Sequence, residues 1–327
     1  MQQLSLLPAF LILSLLAAAP TASAATRAHP LCPDPQADAC AVYDTGRSSG
    51  TPRLTSVDRA ADLAQLLPSL ATSDIVILGE AHDNPHHHKL RAGLLSKPAI
   101  AMEQLRADQS AGLARFIADR AKSARSATID DFKTSVDWAS SGWSKYPYDP
   151  LLTAIIRANV PIYAGDPPRD LIRKIAKEGP GVLSAADQKR LALDRPFAAE
   201  LEAASAAEIE GSHCGMLPKT ALPNMAAAQR YRDAHLADAT LTAATAHGQA
   251  VLLTGNSHAR ADRGVPWYIR ARAPDKTVVS VVVAEVEDGQ TDPAAYVPRD
   301  PDGSPAADYL IITPTIERDD PCKAFGK

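Results

Sequence analysis

Apolar residues along this chain fall in short unbroken runs, most of them separated by stretches whose apolar positions recur every three to four residues. The runs Ile75–Leu78, Ala99–Met102, Val160–Tyr163, Ala250–Leu253, Val278–Val283 and Tyr309–Ile312 have the length and continuity of strands buried on both faces. Their alternation with helical patterns predicts an α/β fold, a mainly parallel sheet flanked by helices on both faces. The last run follows a proline-rich stretch from Pro293 to Pro305 and is expected to pair antiparallel at an edge. Between the third and fourth runs, residues 167–247 are almost wholly helical in pattern and predict a helical insertion shaped as a cap. Within it, Ser184 with Asp187 marks a helix start, and Asn224 to His247 reads as one long helix stopped by Gly248.

The amino end departs from this rhythm. Residues 1–24 carry no charge, run apolar from Leu4 to Ala19 and end in Ala22-Ser23-Ala24, the small-x-small pattern of a cleaved secretory signal. Pro8 and Ser14 interrupt the run, which stops short of the roughly 20 residues that span a bilayer. The first cysteine, Cys32, follows His-Pro-Leu, so no lipobox is present. The expected location is periplasmic or secreted. Residues 25–55 form a Pro/Gly/Ser-rich arm, Ser56 is expected to cap a helix through Leu67, a single domain spans 56–316, and 317–327 is a tail.

Composition narrows the class. Of 327 residues 46% are hydrophobic, a globular proportion, and the formal net charge of −4 comes without a basic cluster, so charge gives no footing for nucleic acid. Four cysteines, Cys32, Cys40, Cys214 and Cys322, allow two disulfides in three connectivities, with Cys32–Cys40 the local pairing. No internal repeat is present except one.

That repeat lies at two strand ends. Leu78-Gly-Glu-Ala-His82 and Thr254-Gly-Asn-Ser-His258 both break an apolar strand at Gly and place a histidine three residues later. Ligands of open α/β sheets bind at such carboxyl ends. Glu80 and His82, Glu103, Asp166, His258 and, less directly, Glu285 terminate five of the six expected strands. Each alone reads as a cap or a solvated loop residue; together they predict one shared site, because a sheet has no use for buried ionisable groups. Carboxylates beside imidazoles suit a divalent metal held by His82, His88 and His258, or a hydrolase using Glu80, His82, Glu103 and His258 with a glutamate as general base. Neither G-x-x-H is a tight chelate, so any metal would be assembled across strands.

Other segments add candidates. Asn84 fits an N-cap and Pro85 the first turn of a helix that places His86 and His88 near its positive end, which favours neutral imidazoles. Phe132, Trp138, Trp143, Tyr146 and Tyr148 crowd one loop-rich segment and include two of the chain's three tryptophans; this suits a planar apolar ligand or a protein interface, the plainer reading being a satellite core. His213 in His-Cys-Gly-Met-Leu-Pro offers a ligand from the cap. Cys214 as a nucleophile is disfavoured, because adjacent Cys and His rarely face each other. Gln229, Arg232 and Asp233 on the long helix are within reach of the site.

Taken in order, Leu-Gly-Glu-Ala-His-Asp-Asn-Pro-His-His-His (78–88), Ala-Met-Glu-Gln (101–104), Gly-Trp with a following Tyr and Pro (142–150), His-Cys-Gly-Met-Leu-Pro (213–218), Ala-Gln-Arg-Tyr-Arg-Asp-Ala-His (228–235), Gly-Asn-Ser-His (255–258) and Gly264-Val265-Pro266 resemble the ChaN-like haem-binding uptake family, related to the Tiki and erythromycin-esterase proteins. The resemblance implies an α/β sandwich with a helical insertion and haem bound by a dimer through a tyrosine on iron. Here Tyr148 matches the family's Tyr-x-Pro best, Tyr146 stands next to it, and Trp143 and His213 fall in matching motifs. It further implies haem as ligand, a homodimer, and a haem transporter or receptor in the cell envelope as partner; the related hydrolases keep a metal-dependent or metal-free hydrolase open.

Overall fold

The structure, a computed structural model, describes residues 29–57, 68–122, 126–320 and 322–323. The expected signal peptide at 1–24 and the helix through Leu67 fall mainly or wholly outside the described residues, and no described helix is long and apolar enough to cross a membrane.

An eight-stranded sheet forms the centre, in the order β2-β1-β8-β7-β3-β6-β4-β5. Its strands are β1 Ala41–Asp44, β2 Thr55–Val57, β3 Ile75–Leu78, β4 Ile100–Arg106, β5 Ile162–Asp166, β6 Ala250–Leu253, β7 Val278–Glu285 and β8 Tyr309–Thr313. All six runs seen in the sequence are strands, and β3 to β8 are mutually parallel. Two expectations are corrected. β8 is neither antiparallel to β7 nor an edge, since it pairs parallel with β7 and antiparallel with β1. Ser56 lies in β2 opposite Tyr43, not at a helix start. The arm therefore contributes two short antiparallel strands that cover the flank of β8, which would otherwise expose unpaired backbone groups.

Side-chain alternation divides the core into two layers. Ile75 and Ile77 of β3 face one cluster, Val76 and Leu78 the other. On the second side pack α1 Pro85–Gly93, α2 Ser110–Lys122, α3 Ile129–Ser135 and α4 Asp149–Ala158, through Leu90, Phe116, Phe132, Leu152 and Ile155. The insertion α5 Arg169–Glu178, α6 Ala185–Arg190, α7 Ala199–Ser212 and α8 Leu222–His247 lies between β5 and β6, as expected. It covers the first side together with α10 Val265–Arg272, which follows the single turn α9 Asn256–Ala259. Small residues on α8, among them Ala234, Ala237, Ala243 and Ala244, are buried in that layer. Ser184 caps α6 by accepting from the Asp187 N–H at 3.0 Å, and Gly248 ends α8 at φ +83°, a conformation that favours glycine.

The cysteines pair as Cys32–Cys40 and Cys214–Cys322. The second bridge ties the carboxyl-terminal segment to the loop between α7 and α8, 108 residues earlier. Cys214 is thereby removed as a nucleophile.

Candidate functional site

Both G-x-x-H turns leave the sheet side by side, and their glycines are steric necessities. A Cβ on Gly79 would lie 2.4 Å from Asn256 Oδ1, and one on Gly255 would lie 2.8 Å from His82 Nε2. Asn256 fixes the second turn by donating from Nδ2 to the Val283 carbonyl (2.7 Å) and accepting from the Val283 N–H (3.0 Å). The two histidines and two glutamates then form a pair of linked buried clusters.

Glu80 centres the first. Its Oε1 accepts from the Tyr148 hydroxyl at 2.5 Å, from His82 Nδ1 at 2.9 Å and from Gln104 Nε2 at 3.0 Å. Its Oε2 meets the Arg91 guanidinium and lies 3.2 Å from His88 Nε2. Burial favours the neutral acid, but Arg91, His82 and His88 outweigh it and hold the Glu80 carboxyl well below the ordinary range. Tyr148 is fully buried, stacked on His88 with ring centroids 4.1 Å apart. Burial and the adjacent Glu80 charge push its phenol far above the ordinary range.

Glu103 centres the second. Oε2 accepts from the Gly255 N–H (2.7 Å) and Thr254 Oγ1 (2.8 Å), while Oε1 accepts from Arg232 Nη2 (2.8 Å) and faces His258 Nε2 at 3.4 Å and His82 Nε2 at 3.9 Å. Arg232 also donates from Nε to Asp166 at 2.9 Å. His258 Nδ1 donates to Asp233 at 2.7 Å. Burial opposes its charge, yet Glu103 and Asp233 on either side raise the imidazole to about 10. Burial likewise works against Glu103, but His258, His82 and Arg232 keep it well below the carboxylate range. His258 is thus an imidazolium clamped between two carboxylates, and each glutamate is an ion with its lone pairs in use.

Of the two histidines and two glutamates, His82 is the one that opens to solvent, with a side chain 30% exposed. Burial lowers its pKa, but Glu103 and Glu80 prevail and the net shift is upward. Its ring stands edge-on to Trp143 at 4.7 Å on the wall of a cavity of about 510 Å³ that also takes in Tyr146, Lys145, Arg106, Arg169 and Arg232. Trp143 and Tyr146 are half-buried there. Among the described residues nothing hydrogen-bonds the Tyr146 hydroxyl, and Lys145 Nζ lies 4.8 Å from its ring centroid.

The expected residues sort clearly. Glu80, His82, Glu103 and His258 converge, joined by Asp166, Gln229, Arg232 and Asp233. Glu285 does not join them; it binds Arg318 and Thr315 on a separate cavity. Asn84 is the N-cap of α1, accepting from the His86 N–H at 2.8 Å. The metal set His82, His88 and His258 finds no support: no three His, Cys, Asp or Glu among the described residues are arranged to hold a metal ion. His88 is sealed behind Glu80, its Nδ1 3.0 Å from the Pro147 carbonyl, while His258 is occupied by carboxylates. His213 ends α7 exposed, its Nδ1 on the Ile209 carbonyl at 2.8 Å, and lines a different cavity from Trp143 and Tyr146.

Sequence reasoning missed Arg91, Gln104 and His87. Arg91 lies three residues after His88, hence on the same helix face, and is fully buried. His87 accepts the Ala81 N–H at Nδ1 (2.8 Å) and meets Thr313 Oγ1 at Nε2 (2.8 Å); burial lowers it to about 4.

Comparison with known proteins places this architecture. Residues 66–269 match the model of a family described as haem-binding uptake, Tiki superfamily, ChaN. Among solved structures, ChaN of Campylobacter jejuni with cofacially bound haem is 18% identical, with a TM-score of 0.59 over 83% of this chain and 96% of that one. A mutant of the erythromycin esterase EreC in its open conformation is 16% identical, with a TM-score of 0.37 over 86% of each chain. No curated protein matches the sequence.

Proposed function

The chain belongs to the ChaN haem-binding uptake family of the Tiki superfamily, and from that premise we propose that it is an exported haem-binding protein of iron acquisition or haem handling. The observation that carries the proposal is the open aromatic cavity, within the range of small-ligand sites, with the unpartnered Tyr146 hydroxyl on its wall. Haem bound there would supply a ferric iron, a centre for which a phenolate is a known type of ligand. Tyr146 is the residue that fits. Tyr148 matches the family pattern better in sequence, but its hydroxyl is buried and bonded to Glu80, so ligation would leave that carboxylate short of a donor. Trp143 provides an apolar face and excludes water on one side.

Two disulfides favour an oxidising compartment, which supports a periplasmic or secreted location reached through the signal at 1–24. A homodimer closing the cavity and a haem transporter or receptor in the envelope complete the proposal. Titrating the purified protein with hemin, while recording its visible spectrum and mass in solution, tests it. The expected result is a saturable tyrosinate-type ferric spectrum that Tyr146→Phe abolishes; a wild-type protein with no saturable spectrum defeats it.

One observation favours a second reading, hydrolysis at the strand ends: the His82 imidazole opens to the cavity next to the Glu103 carboxylate, where it could exchange a proton with a bound substrate. That reading requires ester or peptide cleavage that His82→Ala and His258→Ala abolish. With Glu80, Glu103 and His258 locked in opposite charges, the strand-end cluster serves instead as the rigid floor under the aromatic cavity.

A further inference from the structure

Beyond β8 the chain crosses the carboxyl end of β7 and reaches the first glycine turn, after β3. The Pro314 carbonyl accepts from Asn84 Nδ2 at 3.1 Å. Arg318 then bridges two carboxylates, donating from Nε (2.9 Å) and Nη2 (3.0 Å) to Asp83 and from Nη1 (2.8 Å) and Nη2 (2.7 Å) to Glu285. Further on, Cys322 is bridged to Cys214 in the loop between α7 and α8. The segment thus ties the turn that carries His82 to the helical insertion. On its way Thr315 and Arg318 wall a cavity of about 550 Å³, closed elsewhere by the end of β7, Asn256 and Glu208. Its hold is uneven. Thr313 and Pro314 are buried, but residues 317–320 are exposed, and their polar or covalent attachments to other described segments are the Arg318 ion pairs and, past them, the bridge. Arg318 and Asp83 side chains are each 37% exposed, and ion pairs so open to water hold a segment weakly by themselves. The covalent tether supplies the rest, by keeping the guanidinium at high effective concentration over its two carboxylates.

We propose that residues 315–320 form a strap latched by the Cys214–Cys322 disulfide, and that thiol–disulfide exchange with a dithiol unlatches it, freeing the Ala81–Asn84 turn that carries His82 and opening the cavity beneath. In that exchange a thiolate of the dithiol attacks Sγ of one cysteine, the Sγ–Sγ bond breaks, and the other sulfur leaves as a thiolate that takes a proton. The second thiol of the dithiol then resolves the mixed disulfide. The bridge gains two electrons and two protons, and the dithiol ends as a disulfide. Access separates this bridge from the other one: Cys214 and Cys322 are partly exposed, whereas Cys32 and Cys40 are buried, and attack needs access to sulfur. Cys32–Cys40 also closes a separation of only eight residues within the arm, so its reduction releases no part of the strap.

The test needs no ligand and so stands apart from the haem reading. Amide hydrogen exchange is followed at Ala81 and Asn84, whose N–H groups are bonded to His87 Nδ1 and the Ala81 carbonyl, and tryptic cleavage is followed after Arg318. In Cys214→Ser/Cys322→Ser the two amides are expected to exchange about tenfold or more faster than in the bridged protein, and cleavage after Arg318 to quicken by about tenfold. Exchange in β4 and β6 stays as it was. Cys32→Ser/Cys40→Ser leaves both readouts unchanged. Arg318→Gln in the bridged protein quickens exchange at Ala81 and Asn84, and Arg318→Lys, which keeps the charge, restores part of the protection. Unchanged exchange at the turn in Cys214→Ser/Cys322→Ser overturns the proposal, and so does an acceleration that extends equally to β4 and β6, since the bridge would then be a general staple. Should that variant fail to fold, folded wild type is treated with dithiothreitol and its thiols counted by alkylation. Cys214–Cys322 is expected to open before Cys32–Cys40, with the same rise in exchange at the turn; the reverse order, or no rise, overturns the assignment.

Discussion

The strand-end network and the aromatic cavity share a wall, His82 and Trp143, and treat charge in opposite ways. In the network every ion is answered: Glu80 by Arg91, Tyr148 and His82, Glu103 by Arg232 and His258, His258 by Asp233. In the cavity Lys145, Arg169 and the Tyr146 hydroxyl lack such partners among the described residues. A buried ion cannot remain unanswered without several kcal/mol of penalty, whereas an exposed one is answered by water until a ligand displaces it. Paired charges therefore mark the scaffold, even though His88 Nε2, Arg91 Nε and Gln104 Oε1 make no hydrogen bond there, and unpaired charges at an open surface mark where a ligand goes.

The comparison breaks most sharply at Arg91. Arg91→Met leaves Glu80 buried without its main counter-charge and is expected to lower unfolding free energy by about 3–5 kcal/mol in urea titration. Stability equal to wild type would mean that the network is not the scaffold described here. The two tyrosines sharpen the contrast at the next level. Tyr148→Phe is expected to cost about 1.5–3 kcal/mol of stability while keeping the haem spectrum; Tyr146→Phe is expected to do the reverse, losing haem affinity by at least about tenfold without loss of stability.

A pH-dependent effect follows from His258. Its imidazole is raised to about 10 from an ordinary value near 6.5, so its protonation stabilises the fold fully below about pH 6.5, and that contribution is lost as pH rises through 10. Stability is expected to fall across this window by at most about 1.4 kcal/mol per pH unit, with a shallower slope in Asp233→Asn. A flat wild-type profile would show that the imidazolium is not clamped. Smallest of all, Lys145→Gln and Arg169→Gln are each expected to change stability by less than about 0.5 kcal/mol, measured by the same urea titrations.

The sequence was most legible where burial is two-sided. β3 and β6 show as unbroken apolar runs because both faces are covered, and the paired glycine turns at their ends exposed the convergence of Glu80, Glu103 and the two histidines. β1 and β2, of four and three residues, are too short to carry a period, and β8, the second partner of β1, lies at the far end of the chain. Arg91 was hidden because Lys-Leu-Arg on a helix reads as a solvated face, and nothing local reveals that Glu80 folds over it. The order of the two tyrosines was illegible for a related reason: Tyr146 and Tyr148 differ in the direction each side chain takes from one loop, and only the packed neighbours decide it.

The clasp of β1 on β8 has a consequence for how the chain assembles. Thr45 bonds the Ala307 carbonyl, 262 positions later, so the amino-terminal strands stay without a template until nearly the whole chain is available. Such distant contacts form late. A chain halted before Tyr309 would leave Val281–Glu285 as a bare outer strand, a ready template for another copy, so premature truncation is expected to yield aggregates rather than a smaller soluble protein.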